Sequence, residues 1–201
     1  DAGVEGAHRF LKRLWKVAHT HVSGGIVAAC RTSSGLDEGQ KELRRKLHQT
    51  IAKVADDYGR RKQFNTAVAA VMELVNALER TALADTAGRA LAQEALEAIA
   101  LLIYPIAPHT GYALYAELRP GSDAGQQSFP QVDDSALVQD EIELVLQVNG
   151  KLRGNLRVAA SAEREAIEAL AKAHEQTVKF LEGRTPKKIV VVPGRLVNVV
   201  G

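Results

Sequence analysis

The hydrophobic period changes once along this chain, and that change limits the fold more than any other feature. Up to about residue 118, apolar residues recur three and four apart. The sets are Phe10, Leu11, Leu14, Trp15 and Ala18; Leu43, Leu47, Ile51, Val54 and Tyr58; Val68, Val71, Met72, Val75 and Leu78; and Leu91, Ala95, Ile99 and Leu102. Each is one stripe of an α-helix. Beyond residue 138 the spacing is two: Ile142, Leu144, Leu146 and Val148 alternate with Glu141, Glu143, Val145 and Gln147. That is a strand with one buried face. The chain therefore reads as an α-helical bundle followed by a small α+β domain with two β-hairpins and two short helices.

Punctuation residues set the expected boundaries. Ser23-Gly24-Gly25 ends the first helix, and residues 23–39 are small and turn-rich. Gly59 ends the second helix. A third helix is expected from about Asn65 to Thr81 and a fourth from about Ala87 to Tyr104. Pro105 cannot continue the fourth, whereas Pro108 suits the first turn of a fifth helix reaching Leu118. Residues 119–137, with Pro120, Gly121, Ser122, Asp123 and Gly125, read as a linker with little to bury. The expected division is a helical domain at 1–118, a linker at 119–137 and an α+β domain at 138–201. Within the last part, Asn149-Gly150 is a strong hairpin signal, because both turn residues tolerate positive φ. A return strand follows from about Leu152 to Val158. Ser161 is expected to cap a helix that faces Ile167 and Leu170 inward. A second short helix carries Val178, Phe180 and Leu181 and stops at Gly183. Strands at Ile189 to Val192 and Leu196 to Val200 flank a Pro193-Gly194 turn.

Composition narrows the function classes. The chain has 46% hydrophobic and 25% charged residues, which fits a globular protein rather than a disordered one. The longest apolar stretch, Ala98 to Tyr104, is too short to span a bilayer, so no membrane partner is expected. A single cysteine, Cys30, permits no intramolecular disulfide and suits a cytoplasmic setting. The start at Asp1, without Met, reads as an excised portion or a trimmed chain. No Gly-rich phosphate loop, metal-type cysteine pattern or nucleophile motif is present. His19 and His21 are two apart, which on a helix sends them to different faces and argues against a shared metal. His109 reads as a polar residue at a helix start, and Asp56-Asp57 as a solvated helix end. No cofactor is expected in this part of the chain.

Net charge is only +2, so any RNA contact must use local clusters. Arg60, Arg61 and Lys62 sit between two helices, where cations either complement a helix C-terminus or contact phosphates. Lys151 and Arg153 follow a hairpin tip, and Arg157 lies further along the same strand. Lys187 and Lys188 precede another strand, and Arg195 follows a turn. If the hairpins lie side by side, these side chains make one basic surface for phosphates and sugars. The competing reading is that they guard exposed strand edges against aggregation.

Several segments resemble one family. They are Gly3-Val4-Glu5-Gly6-Ala7-His8-Arg9-Phe10-Leu11-Lys12-Arg13-Leu14-Trp15, Asp57-Tyr58-Gly59-Arg60-Arg61-Lys62-Gln63-Phe64-Asn65-Thr66-Ala67 and Tyr104-Pro105-Ile106-Ala107-Pro108-His109. The strongest are Gln147-Val148-Asn149-Gly150-Lys151-Leu152-Arg153-Gly154 and Lys187-Lys188-Ile189-Val190-Val191-Val192-Pro193-Gly194-Arg195-Leu196-Val197-Asn198. Together they resemble the C-terminal end of bacterial-type leucyl-tRNA synthetases. Tyr115 and Phe129-Pro130 stand where family members often carry Trp and Trp-Pro. The resemblance implies a helical bundle of the class I synthetase anticodon-binding type and a small C-terminal domain that packs on the outer corner of leucine tRNA. It implies Lys151, Arg153, Lys187, Lys188 and Arg195 as corner contacts, with Arg157, Arg60, Arg61 and Lys62 as further candidates. The whole enzyme would join leucine to tRNA using ATP and Mg, and its catalytic domain would be a partner of this portion. The His-Ile-Gly-His and Lys-Met-Ser-Lys-Ser signatures of that chemistry are absent from this sequence, so this portion is expected to hold tRNA without activating leucine. The alternative is a protein-interaction or scaffold module whose basic hairpins serve only solubility.

Overall fold

The computed structural model describes residues 2–138, 141–182 and 184–201, the side chains of Ala2 and Gly3 excepted. They form two compact units, Asp1–Val138 and Gln139–Gly201.

The first unit is built on five helices, α1 (Ala2–Ser23), α2 (Glu38–Asp56), α3 (Phe64–Arg80), α4 (Thr86–Ile103) and α5 (Pro108–Leu118). The helical stripes meet in one core that includes Leu14, Leu47, Val54, Leu74, Leu91, Ile99, Leu102 and Leu118. Trp15, expected in the stripe of α1, is instead 40% exposed. α2 starts with a capping box: Asp37 accepts from the Gln40 backbone N–H, and the Gln40 side chain accepts from that of Asp37. α5 folds back on the end of α4 because Gly111 has no side chain. A Cβ there would lie 2.8 Å from the Ala100 carbonyl oxygen and from Tyr104 Cα.

Two polar side chains, Gln93 buried and Tyr58 half-buried, cross-brace the helices. Gln93 Nε2 donates to Glu97 and to the Leu118 carbonyl, which leaves its Oε1 to accept from His21 Nε2 at 2.7 Å. Burial pushes the Tyr58 phenol up to about 12. It donates to the Leu102 carbonyl at 2.9 Å.

Residues 119–138 differ from the expected linker. Ala124 is buried in the bundle core, and Phe129 and Val132 pack against it. The Phe129 ring meets Tyr58 edge-on at 6.3 Å. A short helix, α6 (Asp134–Leu137), begins at Asp133, whose carboxylate accepts from the Ser135 backbone N–H at 3.0 Å and its hydroxyl at 2.6 Å. The same carboxylate reaches Arg44. Glycine and proline gave this segment its turns, but its few apolar side chains still found the core.

In the second unit the strands are β1 (Glu141–Val148), β2 (Lys151–Ala159), β3 (Lys188–Val192) and β4 (Leu196–Val200), in the order β2-β1-β4-β3. Both hairpins are antiparallel, and they are joined by the parallel pair β1–β4. Leu144, Leu146, Val148, Leu156, Val158, Val197 and Val199 pack with Ile167, Ala171 and Leu181 of helices α7 (Arg164–Ala173) and α8 (Glu175–Leu181). Two local expectations are corrected. The residue before α7 is Glu163, with no side-chain cap, rather than Ser161. Ala171 faces the core, whereas Leu170 is exposed, because α7 lies with its Ile167–Ala171 row on the sheet. The expected stop at Gly183 lies outside the described residues.

Candidate nucleic-acid interface

Asn149 and Gly150 take φ of 52° and 75°, the left-handed pair that closes the first hairpin. This tip is tied to the end of β4. Asn149 N–H donates to the Val199 carbonyl at 2.8 Å, Gly150 N–H to Asn198 Oδ1 at 3.1 Å and Gly201 N–H to Asn149 Oδ1 at 3.0 Å. Lys187 N–H donates to the Val200 carbonyl at 2.8 Å, and Lys188 pairs with Val200. The topology thus brings Lys151, Lys187 and Lys188 to one end of the sheet, all exposed. Lys151 and Lys188 stand on opposite edge strands, three strand spacings or roughly 14 Å apart.

Arg153 joins them by a different route. The β1–β2 register shifts between Leu146 and Gln147, leaving Arg153 as the extra residue of a bulge. Its guanidinium carbon lies 3.6 Å from the centroid of the Phe180 ring on α8. Its Nε is buried with no hydrogen-bond partner. The stack fixes the guanidinium in place without neutralising it. Lys179 Nζ lies 5.9 Å from the same ring.

Arg195 and Arg157 do not join this cluster. Arg195 sits just before the opposite end of β4, four to five residues or roughly 13–17 Å from the lysine row. Arg157 lies opposite Glu143, further along β2. Among the described residues, Lys151, Arg153, Arg157, Lys187, Lys188 and Arg195 form no ion pairs. Their charges are available to a partner.

The cluster on the bundle behaves otherwise. Asp57–Arg61 forms one π-helical turn after α2, and Lys62 closes it at φ 55°. Asp57 is fully buried, not a solvated helix end. It accepts from Lys53 at 2.6 Å and Thr66 at 2.7 Å, contacts that hold its carboxyl below the usual range. Arg61 reaches it at 3.6 Å. Arg60 grips Asp56 through two bonds of 2.6 and 2.9 Å and lowers that carboxyl in turn. Lys62 Nζ donates to the Tyr58 carbonyl. These three cations mainly terminate a helix.

Phe180 and Lys179 escaped sequence reasoning. Phe180 looked like a core residue of a short helix, and only the bulge, invisible in the residue pattern, carries Arg153 over to it. Among the described residues no group of three or more His, Cys, Asp or Glu could hold a metal ion. Nor is any helix there long and apolar enough to cross a membrane.

The model of the anticodon-binding domain of tRNA ligases matches residues 40–169, from α2 into α7. The chain belongs to this family. It is 64% identical over 200 residues to the leucine–tRNA ligase of Dechloromonas aromatica and 60% identical to that of Chromobacterium violaceum. Each match covers 100% of this chain and 23% of the relative, so the chain spans under a quarter of these relatives' length. A ternary complex of the Agrobacterium radiobacter K84 agnB2 LeuRS with tRNA and LeuAMS superposes with a TM-score of 0.77. Its identity is 25%, and it covers 100% of this chain and 25% of that one.

Proposed function

We propose that this chain is the tRNA-binding portion of a leucine–tRNA ligase, and that the lysine end of its small unit holds the outer corner of leucine tRNA. The observation that carries this reading is the contrast between the two basic clusters. Arg60, Arg61 and Lys62 are occupied within the bundle, whereas Lys151, Arg153, Lys187 and Lys188 are unpaired and gathered at one end of a sheet. Folded RNA presents phosphates and 2′-hydroxyls at fixed spacings, and cations held on short hairpins suit that target. Arg195 and Arg157 would act as outlying contacts. ATP, Mg and leucine would be handled by the rest of such a ligase, the catalytic domain being the natural partner of this portion. Family membership favours this reading over a scaffold role.

The test is a salt titration of binding to leucine tRNA, with wild type and Lys187→Ala/Lys188→Ala. Each lost phosphate contact should lower the slope of log affinity against log salt by roughly 0.7–0.9. The double variant should therefore lose roughly 1.5 from the slope. An unchanged slope would refute the assignment of these lysines.

A further inference from the structure

α2 carries a preformed socket for a carboxylate. Arg44 is 1% exposed. Its Nε and Nη2 donate to the two oxygens of Glu94 on α4 at 3.0 and 3.1 Å, and its Nη1 donates to Ser33 Oγ at 3.2 Å. That set belongs to the bundle. One further bond does not: Nη2 also donates to Asp133 Oδ2 at 2.7 Å. One turn along α2, His48 Nδ1 accepts the backbone N–H of Asp133 at 3.0 Å, which leaves Nε2 to donate to Glu94 at 3.2 Å. Arg45 Nη2 donates to the Val138 carbonyl at 3.3 Å. Three side chains of one helix, Arg44, Arg45 and His48, thus grip residues 133–138.

We propose that Arg44 and His48 are positioning residues, a latch that clamps Asp133 and makes residues 133–138 part of the bundle. The clamp is separable from the bundle's own stability. When Asp133 leaves, Arg44 keeps Glu94, and only one guanidinium hydrogen and one imidazole nitrogen turn to water. The segment, in contrast, loses the charged anchor at its far end, while Arg119 keeps Glu97 at 3.6 Å.

The consequence for RNA rests on the function proposed above. With the latch closed, about three links separate Val138 from β1. With it open, the bundle holds the chain only as far as Val132, which packs on its core, about nine links from β1. The effective concentration of one binding unit near the other falls as roughly the −3/2 power of tether length, so opening should weaken tRNA binding by roughly 5-fold.

Asp133→Ala opens the latch, and Ser135→Ala, which removes the hydroxyl bonded to the other carboxylate oxygen, Oδ1, and leaves Oδ2 on Arg44, is its control. A third variant inserts about six Gly/Ser residues after Val138 and leaves the latch intact. Amide hydrogen exchange and leucine-tRNA affinity are measured on each. We expect amides in 133–138 to exchange at least tenfold faster in Asp133→Ala, with α2 and α4 unchanged. We also expect Asp133→Ala and the insertion variant to lose affinity alike, and Ser135→Ala to keep both properties. Unchanged exchange in Asp133→Ala would overturn the latch. Faster exchange with full affinity in both long-tether variants would overturn its role in positioning. Wild type that binds no tRNA would instead overturn the proposed function, and the exchange result would still decide the latch.

Discussion

Leu146→Ala should unfold the small unit and leave the bundle standing. Leu146 is fully buried on β1, a central strand. Its partner on β2 is Gly154 and its partner on β4 is Val197. With no side chain on one flank, little can move in to fill the space left by the missing leucine. The cost should therefore fall in the upper part of the Leu→Ala range, about 3–5 kcal/mol. A unit of about 60 residues holds only about 3–9 kcal/mol in total. The substitution removes much or all of that. The bundle has its own core and shares none of these buried residues. Thermal unfolding followed by circular dichroism, with hydrogen exchange on peptides from each unit, should show the β-strand peptides melting at least 10 °C earlier, using roughly 4–8 °C per kcal/mol. The helical peptides should be unmoved. A single shared transition, or a shift under about 5 °C, would refute both the independence of the two cores and the packing argument at Gly154.

Three further outcomes are expected. Phe180→Leu keeps the bulk but removes the ring under Arg153, so tRNA affinity should drop about 2–5-fold with the salt slope unchanged, whereas Arg153→Ala should also reduce the slope by roughly one contact; equal slopes in the two variants would show that Arg153 meets no phosphate. Hydrogen bonds from Ser135 and Arg44 hold the Asp133 carboxyl down at about 2, below its ordinary 3.8. A depressed folded-state value means stabilisation that is complete above about pH 4 and lost as pH falls toward 2. After discounting for partial exposure this is about 1 kcal/mol, so the stability difference between wild type and Asp133→Asn should be flat above pH 5 and shrink below pH 4. Asp37→Ala removes the capping box of α2 and should cost about 1 kcal/mol in urea unfolding with an unchanged m-value; Gln40, which also donates to Asp85 at 2.8 Å, would lose one of its partners.

The parts of this fold that were legible in the sequence are those decided by local period and turn chemistry. The stripes of α2, α3 and α4 and the alternation of β1 each repeat over several turns or pairs, and Asn149-Gly150 leaves the backbone little choice. What escaped was decided by distant partners. Asp57 looked solvated because its neighbours in sequence are polar, yet Lys53, Thr66 and Arg61 enclose it. Residues 119–138 looked free because their composition is that of turns, yet one carboxylate finds Arg44 some ninety positions earlier. Leu170 and Ala171 exchanged roles because one residue of rotation, about 100° on a helix, is below what a ten-residue stripe can fix. At the candidate interface the lysines were readable as types. Their division into an end that gathers Lys151, Lys187 and Lys188 and a remote Arg195 followed from parallel pairing of β1 with β4, which no local pattern announces.

That pairing also imposes an order on synthesis. β4 comes last among the strands, yet it lies between β1 and β3 and supplies Val197 and Val199 to the centre of the core. The first hairpin emerges some forty residues earlier with one flank open and must wait. Chains fold as they leave the ribosome, N-terminal parts first. Here the helical unit can close early, while the sheet cannot exist until β4 is free. A polypeptide interrupted before Leu196 would carry a finished bundle and an unfinished sheet, with an exposed strand edge to mark it for removal.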